Sequence, residues 1–230
     1  MNWNEVIALF GGGFDPPHLG HREAVRGLFE RPGVKKVLIL PSATPPHKST
    51  WATPEARVEM ARLNFIQPSV LAPLPTEIEL DLRELNRAQR QPQRPSFTYD
   101  TLQEFRSLST PVAFVIGADQ LEQLPTWHRF PEVLALSHWI ILERKQSTQE
   151  NARRILSTWE SSGLIELTSN ESVWKVSRSS FFITLVSTPA PAISSTKIRE
   201  SIVRTGAPPA DTLLPDVLAY LKVRKLYGIQ

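Results

Sequence analysis

The sequence predicts an α/β protein with a doubly wound, mainly parallel β-sheet and a small C-terminal helical part. Short apolar runs alternate with amphipathic stretches along the chain, and glycine or proline marks many of the boundaries between them. The first strand, helix and strand fit within about 35 residues, a length that implies two parallel strands joined by a right-handed crossover. In such sheets, ligands bind at the carboxyl ends of the strands.

Strands are predicted where a short run is apolar, or alternates between apolar and polar residues, and then stops at a turn residue. The first run, VIALF, is apolar throughout and stops at glycine, whereas EIELDL alternates in the manner of a half-exposed strand. The expected strands cover residues 6–10, 34–40, 77–82, 112–116, 139–142, 164–167 and 181–186.

Helices are predicted between these strands from residues that start and stop them. Thr53 is a good N-cap with Pro54 in the first helical position, and Gly206 is well placed to end a helix. The polar segment 86–95 is expected to be a mobile loop, and residues 145–180 are the least informative part of the chain. The expected helices cover residues 18–30, a stretch after Thr53, a stretch containing Leu102 and Phe105, and residues 151–161, 195–205 and 215–225.

Composition limits the class of protein. The chain has 230 residues and no visible boundary, so we expect a single domain over residues 1–230 with a C-terminal helical segment at about 194–230. A net charge of +3 is too small to indicate a nucleic acid partner. The absence of cysteine excludes disulfides and zinc–thiolate sites and suits a cytoplasmic protein. No run approaches the ~20 apolar residues that span a bilayer, so no membrane partner is expected.

The segment GGGFDPPHLGH, residues 11–21, lies where a strand should end and a helix begin. Such a place collects free N–H groups and the positive end of the helix dipole, and glycines let phosphates approach the backbone. The segment has neither GxGxxG nor GK[ST] spacing. His18 and His21 are three residues apart and share a helix face. They could bind a metal, be structural or donate hydrogen bonds to phosphate, and two further basic motifs favour phosphate.

The first of these motifs, PPHK, follows the second strand at the same edge of the sheet. A proline-rich surface turn would give the same pattern. The second motif, ISSTKIR, places hydroxyl groups at a helix start with Arg199 one turn further on, an arrangement that can hold phosphate. An ordinary capped helix is the alternative explanation for it.

Together, GGGFDPPHLGH and ISSTKIR resemble the nucleotidyltransferase superfamily that carries HxGH and ISSTxxR motifs. The segments PSATPPHK, PSFTYDTL, FVIGADQLEQLPTWHRF and LLPDVLAYLKVRKLYG narrow this to a resemblance to bacterial nicotinate-nucleotide adenylyltransferases. The resemblance spans residues 6–228 in order and is poor over 84–94 and 145–180. It implies a Rossmann-like nucleotidyltransferase fold and transfer of AMP from ATP to nicotinate mononucleotide, giving nicotinate adenine dinucleotide and pyrophosphate in NAD biosynthesis. It also implies Mg²⁺ held mainly by substrate phosphates.

The resemblance assigns roles to individual residues, with none given to a protein metal site. The implied catalytic residues are His18, His21, Lys48 and Arg199. The implied ATP-binding residues are Gly12, Gly13, Phe14, His18, His21, Gly117, Asp119, Ile193, Ser194, Ser195, Thr196 and Arg199. The implied mononucleotide-binding residues are His47, Lys48, Thr98, Trp127, His128 and Arg144.

Two residues depart from the family pattern. Gly13 stands where Thr or Ser is usual, so a hydroxyl contact is missing, and His128 replaces a usual Tyr beside the expected pyridine site. Three alternatives stay open: a nicotinamide-mononucleotide adenylyltransferase, a phosphopantetheine adenylyltransferase and a catalytically silent nucleotide-binding regulator. GADQLEQLPTW argues against the phosphopantetheine enzyme, and the retained His18 and Arg199 argue against the silent regulator.

Overall fold

The computed structural model describes residues 5–31, 33–45, 50–67, 74–75, 77–92, 94–143 and 146–229, without the side chains of 146–148. Its strands are β1 (Val6–Gly12), β2 (Val34–Pro41), β3 (Ile78–Leu80), β4 (Val112–Gly117), β5 (His138–Glu143), β6 (Ile165–Leu167), β7 (Val173–Val176) and β8 (Phe182–Ser187). Its α-helices are α1 (Leu19–Phe29), α2 (Pro54–Ala61), α3 (Arg83–Arg90), α4 (Thr98–Phe105), α5 (Ala118–Leu121), α6 (Gln146–Ser161), α7 (Ser195–Thr205) and α8 (Pro215–Val223).

The strands form one sheet in the order β3-β2-β1-β4-β5-β8-β7-β6. Strand β1 pairs in parallel with both β2 and β4, and the chain builds outward from it in both directions. The order therefore reverses between β1 and β4, which opens a crevice at their carboxyl ends. The predicted doubly wound, mainly parallel sheet is confirmed, while the extent of the domain stays a prediction.

Two apolar layers cover the sheet. One layer packs β4 and β5 residues such as Phe114 and Trp139 against α4 and α6, and the other packs α1 against the opposite face of the sheet. A third cluster joins α2, α7 and α8 through Met60, Ile198 and Leu221. The C-terminal helices thus pack against the helix that follows the β2 loop, which brings them to the carboxyl edge of the sheet.

The predicted helix signals act as expected. The Thr53 side chain accepts a hydrogen bond from the N–H of Ala56 at the start of α2. Gly206 ends α7 with φ of 76°, a left-handed conformation that glycine adopts without steric cost. No helix in the described ranges is both long and apolar enough to cross a membrane.

Two regions differ from the sequence expectations. The prediction of a mobile loop at 86–95 was wrong for residues 86–90, because these residues belong to α3, which ends at Arg90. Two charged residues of this helix, Glu84 and Arg87, are buried and share a partner: Arg87 donates to the Thr101 hydroxyl over 2.8 Å, and Thr101 donates to Glu84 over 2.9 Å. The second difference is β7, which was not predicted. It pairs antiparallel with β6 and β8, so strands and helices stop alternating there.

Candidate active site

A pair of histidines begins α1 at the carboxyl end of β1. The Nδ1 of His18 accepts the backbone N–H of His21, and the Nδ1 of His21 accepts the backbone N–H of His18, each over 3.3 Å. The two rings stack with centroids 3.7 Å apart. Because Nδ1 accepts in both rings, a neutral imidazole here carries its proton on Nε2. The pair is thus a reciprocal helix cap, with His18 itself only 2% exposed.

Phe14 packs against the His21 side of this pair. Its ring is 2% exposed and meets the His21 ring edge-on at 5.4 Å between centroids. Phe14 also has a φ of 49°, so the backbone turns sharply before the helix. Any contact of Phe14 with ATP would therefore use its backbone. At the neighbouring Gly13, no atom of the described residues would lie within 4 Å of an added Cβ.

The ISSTKIR segment packs against the entrance of α1, although the two segments are far apart in sequence. Ser195 donates from its hydroxyl to the carbonyl of Pro16 over 2.8 Å. Arg199 donates from Nη1 to the carbonyl of Asp15 over 2.6 Å. A Cβ on Gly20 would lie 2.8 Å from the Pro191 carbonyl. The glycine of HxGH is therefore required by this close contact.

The start of α7 offers several donors in one place. Ser194 is its N-cap in extended conformation, and its side chain makes no capping hydrogen bond among the described residues. Thr196 is exposed in the first turn, and the Arg199 side chain is 12% exposed beside it. Ile193 packs against the C-terminal apolar cluster and anchors the loop. Backbone N–H groups, hydroxyls and a guanidinium at a helix start can bind an anion.

Gly117 and Asp119 lie at the carboxyl end of β4, beside β1. The two strands are in register with Phe10 opposite Val115. Gly117 is the N-cap of the short helix α5, and a Cβ there would collide with the carboxylate of Asp119. Asp119 itself is exposed at this carboxyl end of β4.

Thr98, Trp127 and His128 form a second group. Thr98 is the first residue of α4, and the Phe97 ring just before it stacks on His128 with centroids 4.3 Å apart. Trp127 is half-buried and meets Phe114 of β4 edge-on at 6.3 Å. The segments PSFT and PTWH therefore lie side by side.

The loop after β2 connects the glycine loop at the end of β1 to the segment that begins α4. Ser42 donates its backbone N–H to the carbonyl of Gly12 over 2.9 Å. Two residues later, Thr44 exchanges hydrogen bonds with Ser96: its N–H donates to the Ser96 hydroxyl over 3.2 Å, and its carbonyl accepts the Ser96 N–H over 2.9 Å. The glycine loop and the start of α4 are thus held at the same edge of the sheet. His47, Lys48 and Arg144 lie outside the described residues.

Arg57 is a site residue that the sequence did not reveal. It is fully buried in α2 and donates to the carbonyls of Gly13, Ser42 and Ala43 over 2.6–2.8 Å. Burial lowers its pKa, although arginine stays charged in proteins. One side chain therefore clamps the loops after β1 and β2 together. An arginine on a short helix usually faces solvent, so the pattern gave no signal of this role.

The described residues contain no group of three or more histidine, aspartate or glutamate side chains placed to hold a metal ion. Asp15 is close by, but its oxygens already accept the N–H groups of Trp51 over 2.8 Å and Ala52 over 3.1 Å. Mg²⁺ commonly uses few protein carboxylates and several phosphate or water oxygens. This donor set fits a magnesium ion carried by substrate phosphates better than one held in a protein cage.

Comparison with known proteins adds family information. The family model described as cytidylyltransferase-like matches residues 9–201. A protein of Klebsiella pneumoniae named "probable nicotinate-nucleotide adenylyltransferase" is 35% identical over 99% of each chain. A protein of the same name from Yersinia pestis is 34% identical over 97% of this chain and 96% of its own.

A solved structure agrees with the fold. The Plasmodium falciparum nicotinic acid mononucleotide adenylyltransferase complexed with NaAD superposes with a TM-score of 0.74, covering 98% of both chains at 17% identity. At this identity the likeness shows a shared fold, including the sheet whose crevice holds the residues described above.

Proposed function

The chain belongs to the nicotinate-nucleotide adenylyltransferases within the cytidylyltransferase-like family, and we propose that it transfers AMP from ATP to nicotinate mononucleotide. The products are nicotinate adenine dinucleotide and pyrophosphate. The observation that carries this proposal is the docking of the start of α7 onto the backbone carbonyls of Asp15 and Pro16, just before the stacked His18–His21 pair at the switch point of the sheet. Donors from both ends of the chain converge there on the space where a triphosphate would bind.

The reaction needs little acid–base catalysis from the protein. The nucleophile is a phosphate monoester, which is mostly dianionic at neutral pH because its second pKa is about 6. It attacks the α-phosphorus of ATP, the bond to the bridging oxygen breaks, and pyrophosphate leaves with the electron pair. No general base is needed. The barrier lies in bringing two anions together and in stabilising the charge that builds up at the leaving group.

The donors at the crevice suit that task. In our proposal, the Nε2–H groups of His18 and His21 and the start of α1 bind phosphate oxygens on one side. The Arg199 guanidinium and the start of α7 bind them on the other side. Lys48 and His47 are proposed to complete the site, and Mg²⁺ bound to the phosphates would neutralise further charge. Gly12, Gly13, Gly117 and Asp119 are proposed to contact the nucleotide backbone and ribose.

The second group is proposed to bind the nicotinate ring. Trp127 would stack on the ring, and the N–H groups near Thr98 and His128 would donate to the ring carboxylate. Arg144 is proposed to bind the mononucleotide phosphate side. Backbone donors suit a carboxylate, which accepts at both oxygens, better than a carboxamide, whose NH₂ would face another donor. We also propose a cytoplasmic location, which suits a cysteine-free chain that consumes ATP.

The test is a pyrophosphate-release assay with ATP, Mg²⁺ and one of four acceptors: nicotinate mononucleotide, nicotinamide mononucleotide, phosphopantetheine or none. We expect turnover with nicotinate mononucleotide and a background rate with phosphopantetheine or no acceptor. Higher efficiency with phosphopantetheine or with the nicotinamide compound would assign one of those alternative activities. Binding of ATP without turnover on any acceptor would indicate a silent regulator.

A further inference from the structure

Asp15 is the centre of a buried network beside the proposed phosphate site. Its side chain is 6% exposed. One carboxylate oxygen accepts the Trp51 N–H, and the other accepts the Ala52 N–H and the hydroxyl of Tyr227. Its backbone carbonyl accepts Nη1 of Arg199 over 2.6 Å, and its carboxylate is 3.8 Å from the same nitrogen. Asp15 therefore connects the C-terminal turn to an arginine proposed to bind ATP.

Tyr227 reaches Asp15 from the far end of the sequence. The hydrogen bond from its hydroxyl is 2.6 Å long. Burial, with a further contribution from Asp15, raises the pKa of Tyr227, so the hydroxyl stays a donor throughout the neutral range. The residue is presented by a turn in which Lys225 and Tyr227 both have left-handed backbone angles, φ of 49° and 59°. Such angles are unfavourable for non-glycine residues and persist only when surrounding contacts hold them.

We infer that Tyr227 is a positioning residue that aims the Arg199 guanidinium at the triphosphate by holding Asp15 in place. Arg199 donates to Asp15 and lies 3.4 Å from the Thr196 hydroxyl, while its guanidinium faces the Trp51 ring at 5.3 Å. The direction of the Asp15 carbonyl follows from where its side chain is anchored, because both belong to one residue. Without the tyrosine hydroxyl, that carboxylate oxygen keeps a single donor among the described residues, the Ala52 N–H at 3.1 Å.

A purely structural role for Tyr227 would depend on its ring. The ring lies 6.5 Å from that of Trp51 and belongs to the C-terminal apolar cluster. Tyr227→Phe keeps this packing and removes only the hydroxyl. Tyr220→Phe is the matched control, since Tyr220 is a half-buried tyrosine of the same cluster on α8. The two variants separate loss of a hydroxyl from loss of the bond to Asp15.

The experiment measures pyrophosphate release while ATP is varied at saturating nicotinate mononucleotide, and then the reverse. We expect Tyr227→Phe to lower kcat/KM for ATP about tenfold and to change KM for the mononucleotide less than twofold. Tyr220→Phe should behave as wild type. Wild-type kinetics for Tyr227→Phe, or an equal loss in Tyr220→Phe, would overturn the inference.

A double-mutant cycle tests whether the effect passes through Arg199. In an Arg199→Lys background, where the bond to the Asp15 carbonyl is altered, Tyr227→Phe should cost less than threefold. A full tenfold cost in that background would overturn the inference. If Tyr227→Phe has no cooperative melting transition, Asp15→Asn with and without Arg199→Lys forms the same cycle. The inference rests on the proposed function, and an inactive wild type would refute that function, whereas an active wild type with an unaffected Tyr227→Phe would refute only the inference.

Discussion

His18 and His21 cap each other: each ring accepts at Nδ1 the backbone N–H of the other residue, and the rings stack at 3.7 Å. The same two side chains are proposed to bind the triphosphate. Truncating either one therefore removes a helix cap together with an imidazole. Substitutions that keep the cap are needed to measure the catalytic part alone.

Glutamine at position 21 should separate the two roles. It can accept the His18 N–H as a glutamine does in an ordinary capping box, but it lacks the imidazole. We expect His21→Gln to lower kcat/KM by about 10²–10³, or roughly 3 kcal/mol, with a melting temperature close to wild type. His21→Ala should show the same kinetic loss and also lose about 1 kcal/mol of stability. Wild-type turnover by a folded His21→Gln protein would contradict the proposed role.

Two glycines of α1 provide a matched pair. A Cβ at Gly20 would lie 2.8 Å from the Pro191 carbonyl, whereas one at Gly27 would meet the Thr188 hydroxyl at an ordinary 3.5 Å. We expect Gly20→Ala to lose about 1–3 kcal/mol of stability and to reduce activity, because the loop before α7 must move. Gly27→Ala should gain up to about 1 kcal/mol from helix propensity and keep full activity. Chemical denaturation and steady-state kinetics measure both, and equal behaviour of the two variants would count against the docking described here.

Trp127 and Trp139 differ in burial, which predicts opposite consequences of truncation. Trp139 is fully buried, so Trp139→Ala should cost about 3–5 kcal/mol of stability. Trp127 is half-buried at the proposed ring site, so Trp127→Ala should raise KM for the mononucleotide far more than KM for ATP. Melting curves and kinetics with each substrate varied are the measurements. A large fall in melting temperature for Trp127→Ala with unchanged KM for the mononucleotide would show that this tryptophan serves only the core.

The proposed ring site also predicts a preference between acceptors. We expect nicotinate mononucleotide to exceed nicotinamide mononucleotide by at least tenfold in kcat/KM, or about 1.4 kcal/mol. The amide would place an NH₂ group against a backbone donor and leave polar groups unpaired, at a cost of about 1–3 kcal/mol. Both acceptors should be measured at saturating ATP. Equal efficiencies would mean that the pocket formed by PSFT and PTWH does not distinguish acid from amide.

His138 predicts a change of stability with pH. Burial lowers the pKa of His138 to about 4, below its ordinary value of 6.5. The unfolded chain therefore binds this proton at a higher pH than the folded chain, and stability falls as pH drops from about 6.5 to about 4. The full shift corresponds to about 3 kcal/mol, and partial exposure reduces the expected loss to about 1–2 kcal/mol.

The variant His138→Gln isolates this contribution. Its stability should fall less than that of wild type between pH 7 and pH 4 in urea unfolding. The comparison must be made as a difference between the two proteins, because burial raises the pKa of Glu84 and of Glu143. Those carboxyls favour the folded state at low pH and act against the histidine. Parallel curves for the two proteins would contradict the prediction.

The sequence by itself determined the local features of this protein. Strand, turn and helix patterns depend on neighbouring residues, so the βαβ start, the caps at Thr53 and Gly206 and the closeness of His18 and His21 at the helix start could all be predicted. The proposal that the two motifs bind phosphate rests on the same local chemistry. Prediction from the sequence failed where the pattern was short, as in the four-residue strand β7.

Only the tertiary structure decided how distant segments meet. Gly20 against Pro191, Arg57 across three carbonyls, and Tyr227 on Asp15 are contacts between residues far apart in sequence. A charged residue has the same local pattern whether it faces water or is buried with partners, which is why α3 was expected to be a loop and Arg57 gave no signal. Burial of such groups is stabilised by specific hydrogen bonds, and those partners exist only once the chain has folded.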